Sequence, residues 1–230
     1  MKPATEALVD EWWSSLFDVG RADLWHRVTA RPHRDLRDYP GWFVAWREGG
    51  IHVSVPVGPN EGLAETLAAE RPALLREPAF WQDFADRRGL RVIGPGIHHY
   101  LDRDPGPSPT VVDIPVAETG RLRPLVTEDE WQEAGMDDDL LVAFGAYVDG
   151  ELVAASTLAD FAGAPRHVGV LVAPAARGRG LVDEVGRSAA SYAIRNHGLA
   201  RWRARPDNRG SSGAAQRLGF EPWCTQLAIR

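Results

Sequence analysis

The sequence predicts an α/β fold in two halves, on three observations. Strand-like and helix-like patterns alternate along most of the 230 residues, an order that places helices against a sheet. Residues 102–110 hold three prolines and a glycine, so they can neither continue a helix nor fill a sheet. A chain of this length can form one large domain or two small ones, each with its own core. We therefore predict a smaller α+β domain over residues 1–104 and a second domain over residues 111–230.

In the first half, apolar residues at helical spacing predict a helix over 6–17. Two strand-like runs around Glu48-Gly49-Gly50 predict a hairpin over 41–57. A helix is expected over 61–70 and should stop near Pro72. Another is expected over 78–88, because Pro78 suits a helix start and Gly89 a helix stop. A strand over 91–101 completes this half. Six of the nine tryptophans precede the linker, which indicates core packing or an acceptor pocket.

The second half has clearer boundaries. Thr127 and Glu130 have capping-box spacing and predict a helix over 127–134. A hairpin is expected over 141–158, turning at Asp149-Gly150. The remaining predictions are strands at 111–116, 167–172, 201–205 and 220–229 and helices at 180–197 and 208–218. Together they predict a mixed, mostly antiparallel sheet flanked by helices.

Charge is distributed unevenly along the chain. Overall there are 26 basic and 32 acidic residues, which argues against a nucleic-acid binder. Residues 166–230 nevertheless hold 11 arginines and 4 acids, a pattern that fits either a polyanionic ligand or a solvated basic stripe. We expect a cytoplasmic protein without a membrane partner, for three reasons. The sequence has a single cysteine, Cys224, it has no apolar run of membrane-spanning length, and its N-terminus is polar.

The string Arg177-Gly178-Arg179-Gly180 lies between a predicted strand and a predicted helix. A helix N-terminus offers unpaired N–H groups and a partial positive charge, and glycines let an anion approach the backbone. The string is not a P-loop, because no Gly-Lys-Ser/Thr follows, and it lacks dinucleotide-fingerprint spacing. It therefore predicts an anion site or, read alone, a flexible basic loop.

A second string, Asn208-Arg-Gly-Ser211 followed by Leu218-Gly219-Phe220, favours the anion site over the flexible loop. With Val172-Ala-Pro174 and Arg177-x-x-Gly180, it resembles the GNAT superfamily of acyl-CoA-dependent N-acetyltransferases over residues 141–229. The resemblance implies a C-terminal GNAT domain and a degenerate GNAT-like or substrate-capping N-terminal half. It also implies that acetyl-CoA is the co-substrate.

The resemblance further implies which residues bind that cofactor. The pantetheine arm is expected to pair with the strand that ends at Val172, and the pyrophosphate to rest on the turn before the next helix. Asn208 would contact the cofactor, cap its helix, or do both. The expected cofactor-binding residues are Leu171, Val172, Arg177, Gly178, Arg179, Gly180, Leu181, Val182, Asn208 and Ser211.

Catalytic residues are harder to assign. Val182 stands where the family pattern has Gly or Ala, and Ala215 stands where many members carry a proton-donating Tyr. We take Glu133 and His167 as candidate catalytic residues, with Asp160 or a water chain as other routes for the proton. Backbone N–H groups near Leu171 or Val172 could bind the oxyanion. His98-His99 alternate along a strand, so no metal site is expected.

The sequence therefore predicts an N-acetyltransferase that acts on a primary amine of a small molecule or peptide, as a monomer or homodimer. A second hypothesis is a non-catalytic acyl-CoA-binding module, because Val182 and Ala215 depart from the family pattern. A third is nucleic-acid binding through Arg201, Arg203 and neighbouring arginines. A phosphate site for the cofactor would already explain why those arginines are present.

Overall fold

The first half of the chain forms short helices and strands. The structure is a computed structural model that describes residues 1–33, 36, 39–58, 62–161 and 164–230. Up to the proline-rich segment its elements are α1 (Pro3–Phe17), α2 (Arg21–Leu24), β1 (Val28–Pro32), β2 (Trp42–Trp46), β3 (Ile51–Val55), α3 (Leu63–Ala68), α4 (Pro72–Leu75), α5 (Pro78–Asp86) and β4 (Val92–Leu101).

The second half contains longer elements. They are β5 (Val112–Ile114), α6 (Glu128–Glu133), β6 (Leu140–Val148), β7 (Glu151–Phe161), β8 (Ala164–Val172), α7 (Leu181–His197), β9 (Ala200–Ala204), α8 (Arg209–Arg217) and β10 (Glu221–Ile229). Two 3-10 helices, Val116–Leu125 and Pro174–Ala176, join some of them.

The predicted fold class is confirmed, and so are the long elements. The sequence missed β1, α2, α4 and the longer 3-10 helix, because segments this short or irregular carry no periodic pattern. Pro72 begins α4, since its fixed φ suits the first helical turn. Residue 61, the predicted start of the helix over 61–70, lies outside the described residues.

The chain divides into two compact units. One unit comprises residues 2–98, 204–207 and 222–230, so nearly all of β10 groups with the N-terminal strands. The other comprises residues 99–203 and 208–221 together with Met1.

In the first unit the strand order is β1-β3-β2-β10-β4. Strand β1 is parallel to β3, while β2 is antiparallel to both β3 and β10. Alternate strand residues face opposite sides of the sheet. On one side Val53 packs with Leu75 and Trp81 of the helices that follow β3. On the other, His52 stacks against Phe17 of α1, with ring centroids 4.1 Å apart.

In the second unit the order is β9-β8-β7-β6-β5. Strands β5 to β8 are antiparallel neighbours, and β8 is parallel to β9. Helix α7 covers one face, where Val185 packs beside Val170. Helix α6 covers the other, where Trp131 joins Leu171 in a buried cluster. Among the described residues, every helix is too short or too polar to span a bilayer.

Candidate active site

A cleft opens in the second unit where β8 and β9 separate. The two strands pair at His167 and Arg201, and no later pair joins them in the described part of the chain. The cleft has a volume of about 630 Å³. Its lining includes Val168 to Val172 of β8, Trp202 and Arg203 of β9, the start of α7, and Glu133, Asn208 and Ser211. The structure thus brings most of the predicted site residues into one cleft.

One backbone edge of β8 faces this cleft. The N–H of Ala173 donates to Val153 of the adjacent strand β7, at 2.8 Å. Because successive residues of a strand direct their peptide groups to opposite edges, the N–H and C=O groups of Val170 and Val172 point toward β9. The carbonyl of Val172 accepts a hydrogen bond from Arg177 Nε. With no partner strand beside them, the N–H of Val172 and both peptide groups of Val170 can bind an extended, amide-containing ligand.

The start of α7 forms one end of the cleft. Gly178 and Gly180 adopt φ angles of 79° and 78°, in the left-handed region that favours glycine. A Cβ at either position would meet no atom within 4 Å, so the space beside the backbone is open. The first hydrogen bond of the helix runs from the N–H of Asp183 to the carbonyl of Gly180. The N–H groups of Leu181 and Val182 precede it and so have no acceptor within the helix. This end can accept an anion.

Charged side chains border the same end. Arg177 forms an ion pair with Glu130 at 2.6 Å, and its Nε donates to the carbonyl of Val172 at 3.2 Å. Arg217 donates two hydrogen bonds to Asp183, each at 2.7 Å, and this contact raises the pKa of Arg217. Both arginines are therefore already paired with carboxylates.

Arg179, which the sequence placed with the cofactor-binding residues, lies elsewhere. It lines a neighbouring pocket of about 420 Å³ that also includes Arg121 and Glu151. Arg121 and Glu151 form an exposed ion pair there.

A chain of hydrogen bonds crosses the middle of the cleft. Trp202 Nε1 donates to Ser211 Oγ at 2.9 Å. The N–H of Ser211 donates to Asn208 Oδ1 at 3.0 Å, which makes Asn208 the N-cap of α8. Asn208 Nδ2 donates to Glu133 Oε1 at 2.9 Å. These bonds fix the orientation of the Asn208 amide and hold the Glu133 carboxylate within the cleft.

Close backbone contact explains why Glu133 reaches this position. A Cβ on Gly169 would lie 2.3 Å from the carbonyl oxygen of Ala134 and 2.7 Å from Thr157 Oγ1. Only glycine therefore allows the end of α6 to rest directly on β8. Sequence reasoning missed Gly169, Trp202 and the Arg217 ion pair, because each acts through a contact between distant segments.

The end of the cleft opposite α7 holds His167 and Arg203. Burial lowers the pKa of His167 well below its ordinary value, and the charges of Arg201 and Arg203 lower it further. His167 is consequently uncharged near pH 7. Burial also raises the pKa of Asp138, against an opposing effect of the same two arginines. Arg201 is 5 % exposed.

This placement corrects one interpretation from the sequence. We attributed the arginines of the 201–205 strand to a phosphate site. Arg201 instead lies opposite His167, five residues before Val172 and therefore about 17 Å from the end of β8 that leads toward α7.

The two departures from the family pattern also have defined positions. Val182 is partly buried and lines the cleft. Ala215 is fully buried in α8 and is not among the described residues that line the cleft. Asp160 is exposed and likewise outside that lining.

Comparison with known protein families identifies the domain that holds this cleft. Residues 117–221 match a family model described as an acetyltransferase (GNAT) domain. This part of the chain is a GNAT domain. No curated protein matches the chain.

Solved structures extend the comparison. A Drosophila protein aligns with a TM-score of 0.52 at 15 % identity, over 96 % of this chain and 86 % of its own. The shared fold therefore includes the N-terminal residues as well as the GNAT domain. A Novosphingobium aromaticivorans protein assigned to the GNAT family aligns with a TM-score of 0.49 at 19 % identity, over 61 % of this chain and 66 % of its own. A GNAT-family acetyltransferase from Colwellia psychrerythraea aligns with a TM-score of 0.47 at 15 % identity, over 60 % of this chain and 56 % of its own. The chain thus spans less than two thirds of the length of these last two proteins.

Proposed function

We propose that this protein transfers an acetyl group from acetyl-CoA to a primary amine of a small molecule or peptide, in a ternary complex. The observation that carries the proposal is the cleft between β8 and β9, which contains both a helix start that suits an anion and a fixed carboxylate. The single buried cysteine supports a reducing, cytoplasmic location.

The residues present fit acetyl-CoA. The open space beside Gly178 and Gly180 and the N–H groups of Leu181 and Val182 suit a pyrophosphate. The cleft-facing peptide groups of Val170 and the N–H of Val172 suit the amides of pantetheine. Bound acetyl-CoA would supply the activated acetyl group as a thioester.

The chain's own residues then have separate tasks. The amine attacks in its neutral form and must give up one proton as its nitrogen bonds to the acetyl carbon. The carbon–sulfur bond then breaks, and the sulfur leaves as thiolate. We assign proton acceptance to Glu133, because its carboxylate lies in the cleft and is oriented by Asn208. A proton on His167 is disfavoured by burial and by two arginines. We therefore give His167 no proton-transfer role. It lines the end of the cleft opposite α7, where we expect the amine to bind and which we call the acceptor end. The proton taken from the amine returns through water to the thiolate, since Ala215 carries no hydroxyl group.

Calorimetry with acetyl-CoA tests binding, and release of free thiol with a panel of amines tests transfer. We expect micromolar binding and turnover with at least one amine. Gly180→Asp should abolish binding, because it places a carboxylate at the helix start and a side chain at a positive φ. Gly120→Ala is the matched control, since a Cβ there meets no atom within 4 Å. No binding at millimolar acetyl-CoA would refute the proposal.

One observation favours a second candidate, a non-catalytic acyl-CoA-binding module. Ala215 is buried and supplies no proton donor. Tight binding of acetyl-CoA without thiol release across the amine panel would support the module over the enzyme.

A further inference from the structure

The acceptor end of the cleft has a charge that the cofactor does not require. Arg203 lines the cleft and is partly buried. It follows Arg201 by two residues on β9, which is parallel to β8. Arg203 therefore lies about 7 Å nearer the α7 end than Arg201, which is opposite His167 and about 17 Å from that end. The negative charges of acetyl-CoA belong at the α7 end, so they leave Arg203 without a role in cofactor binding.

The groups around Arg203 determine the charge at this end of the cleft. Its charge acts on both His167 and Asp138, as does the charge of Arg201, so these four groups lie together. His167 contributes no charge near neutral pH, and Asp138 is not among the described residues that line the cleft. Arg203 is thus the cation at this end that faces the cleft, in the described part of the chain.

A negative charge lines the same cleft. The Glu133 carboxylate is held in the same cleft by Asn208. A carboxylate and a guanidinium in one cleft are complementary to a ligand that carries both an amine and an anion. A guanidinium presents its N–H donors as a planar fork, which matches the paired oxygens of a carboxylate or a phosphate.

We propose that the acceptor is an amine that also carries an anionic group, a carboxylate or a phosphate, with the amine directed to Glu133 and the anion bound by Arg203. This inference rests on the proposed acetyl transfer and names its substrate class. Simple polyamines and amines without an anionic group are then poor acceptors.

Calorimetry on the protein saturated with CoA tests the inference without requiring turnover. The probes are matched pairs, namely glycine with glycinamide, phenylalanine with phenylalaninamide, and 2-aminoethyl phosphate with ethanolamine. We expect the anionic member of at least one pair to bind about ten- to hundred-fold more tightly. Preference in an amino-acid pair identifies the carboxylate, and preference in the phosphate pair identifies the phosphate. Equal binding within every pair, or binding of no probe, would overturn the inference.

Two variants test whether Arg203 is the residue that binds the anionic group. Arg203→Met should remove the advantage of the anionic probe and leave its neutral partner and the affinity for CoA unchanged. Arg209→Met is the control, since Arg209 is exposed at the start of α8 and outside the described cleft lining. An equal loss of both probes in Arg203→Met, or a retained preference, would exclude Arg203 as the anion site. If that variant does not fold, the comparison of probe pairs on the native protein still decides the inference. Failure of CoA itself to bind would refute the acetyltransferase function and is measured first.

Discussion

Asn208 donates a hydrogen bond to Glu133, with 2.9 Å between Nδ2 and Oε1. The two residues are 75 positions apart in the chain. Asn208 is the N-cap of α8, and Glu133 is the last residue of α6. The carboxylate is therefore oriented by the N-cap of another helix, whose amide is itself fixed by the N–H of Ser211. Such an arrangement holds Glu133, the proton acceptor that we propose, in one position before any ligand arrives.

Glu133→Gln tests this assignment directly. Glutamine can still accept the hydrogen bond from Asn208, but it cannot take up a proton. We expect kcat for acetyl transfer to fall by about 10²- to 10⁴-fold, with little change in acetyl-CoA affinity. Steady-state kinetics and calorimetry measure the two quantities. Asp129→Asn, on the exposed side of the same helix, is the matched control. An unchanged kcat in Glu133→Gln would assign the proton to water or another group.

Gly169→Ala tests the contact that brings α6 onto β8. The added Cβ would lie 2.3 Å from a backbone oxygen of Ala134, which cannot move without displacing the helix. We expect a loss of about 1–3 kcal/mol in the free energy of unfolding, measured by urea denaturation. Gly120→Ala should stay within about 0.5 kcal/mol of the native protein. Equal stability of the two variants would mean that α6 does not rest on Gly169.

These contacts show what the sequence could predict and what it could not. The hairpin turn at Asp149-Gly150 was predicted from local chemistry, and the structure gives both residues the positive φ that such a turn requires. The capping box of Thr127 and Glu130 was predicted in the same way. Local patterns suffice where neighbouring residues decide the conformation.

The distribution of charges within the site was not predictable, because it depends on register between distant strands. The 201–205 arginines were attributed to phosphate, yet the pairing of Arg201 with His167 places that arginine at the opposite end of β8. Arg179 differs from Arg177 by two positions and lines a different pocket. A motif identified the cleft, but tertiary contacts decide which of its side chains face it.

The ion pair between Asp183 and Arg217 should affect cofactor binding more than stability. Asp183 lies in the first turn of α7, where its uncompensated charge would repel a pyrophosphate. We expect Arg217→Met to weaken acetyl-CoA binding by about three- to ten-fold at low salt. The double variant Asp183→Asn/Arg217→Met should recover most of that loss, as calorimetry can measure. Additive losses in the double variant would show that Arg217 contacts the cofactor itself.

Glu130 should limit the affinity for acetyl-CoA by occupying Arg177. The Glu130 carboxylate accepts the N–H of Thr127, and this bond together with Arg177 lowers its pKa. It therefore stays charged at neutral pH. Glu130→Gln retains an oxygen for the cap but frees Arg177, so acetyl-CoA binding should strengthen by about three- to ten-fold at low salt. Glu128→Gln removes a similar charge on the same helix, whose partner Arg123 lies outside the described cleft lining, and should have little effect. Equal affinities in the two variants would contradict competition for Arg177.

The buried His52 should make the protein less stable in mild acid. Burial lowers its pKa from 6.5 to about 3, while Thr29 Oγ1 lies 2.8 Å from its Nδ1. Between these pH values the unfolded chain binds a proton at His52 that the folded chain does not. Stability is therefore retained above pH 6.5 and lost as pH falls below it, by about 1.4 kcal/mol per pH unit from this residue.

Urea denaturation between pH 4.5 and 7.5 measures this dependence. His52→Asn should lower stability at pH 7, because it loses the stacking on Phe17, but it should show a smaller decline toward pH 5. The exposed His26 has no comparable burial, so His26→Gln should retain the native slope. An unchanged slope in His52→Asn would assign the acid sensitivity to other groups, of which His167 is the next candidate because burial lowers its pKa in the same direction.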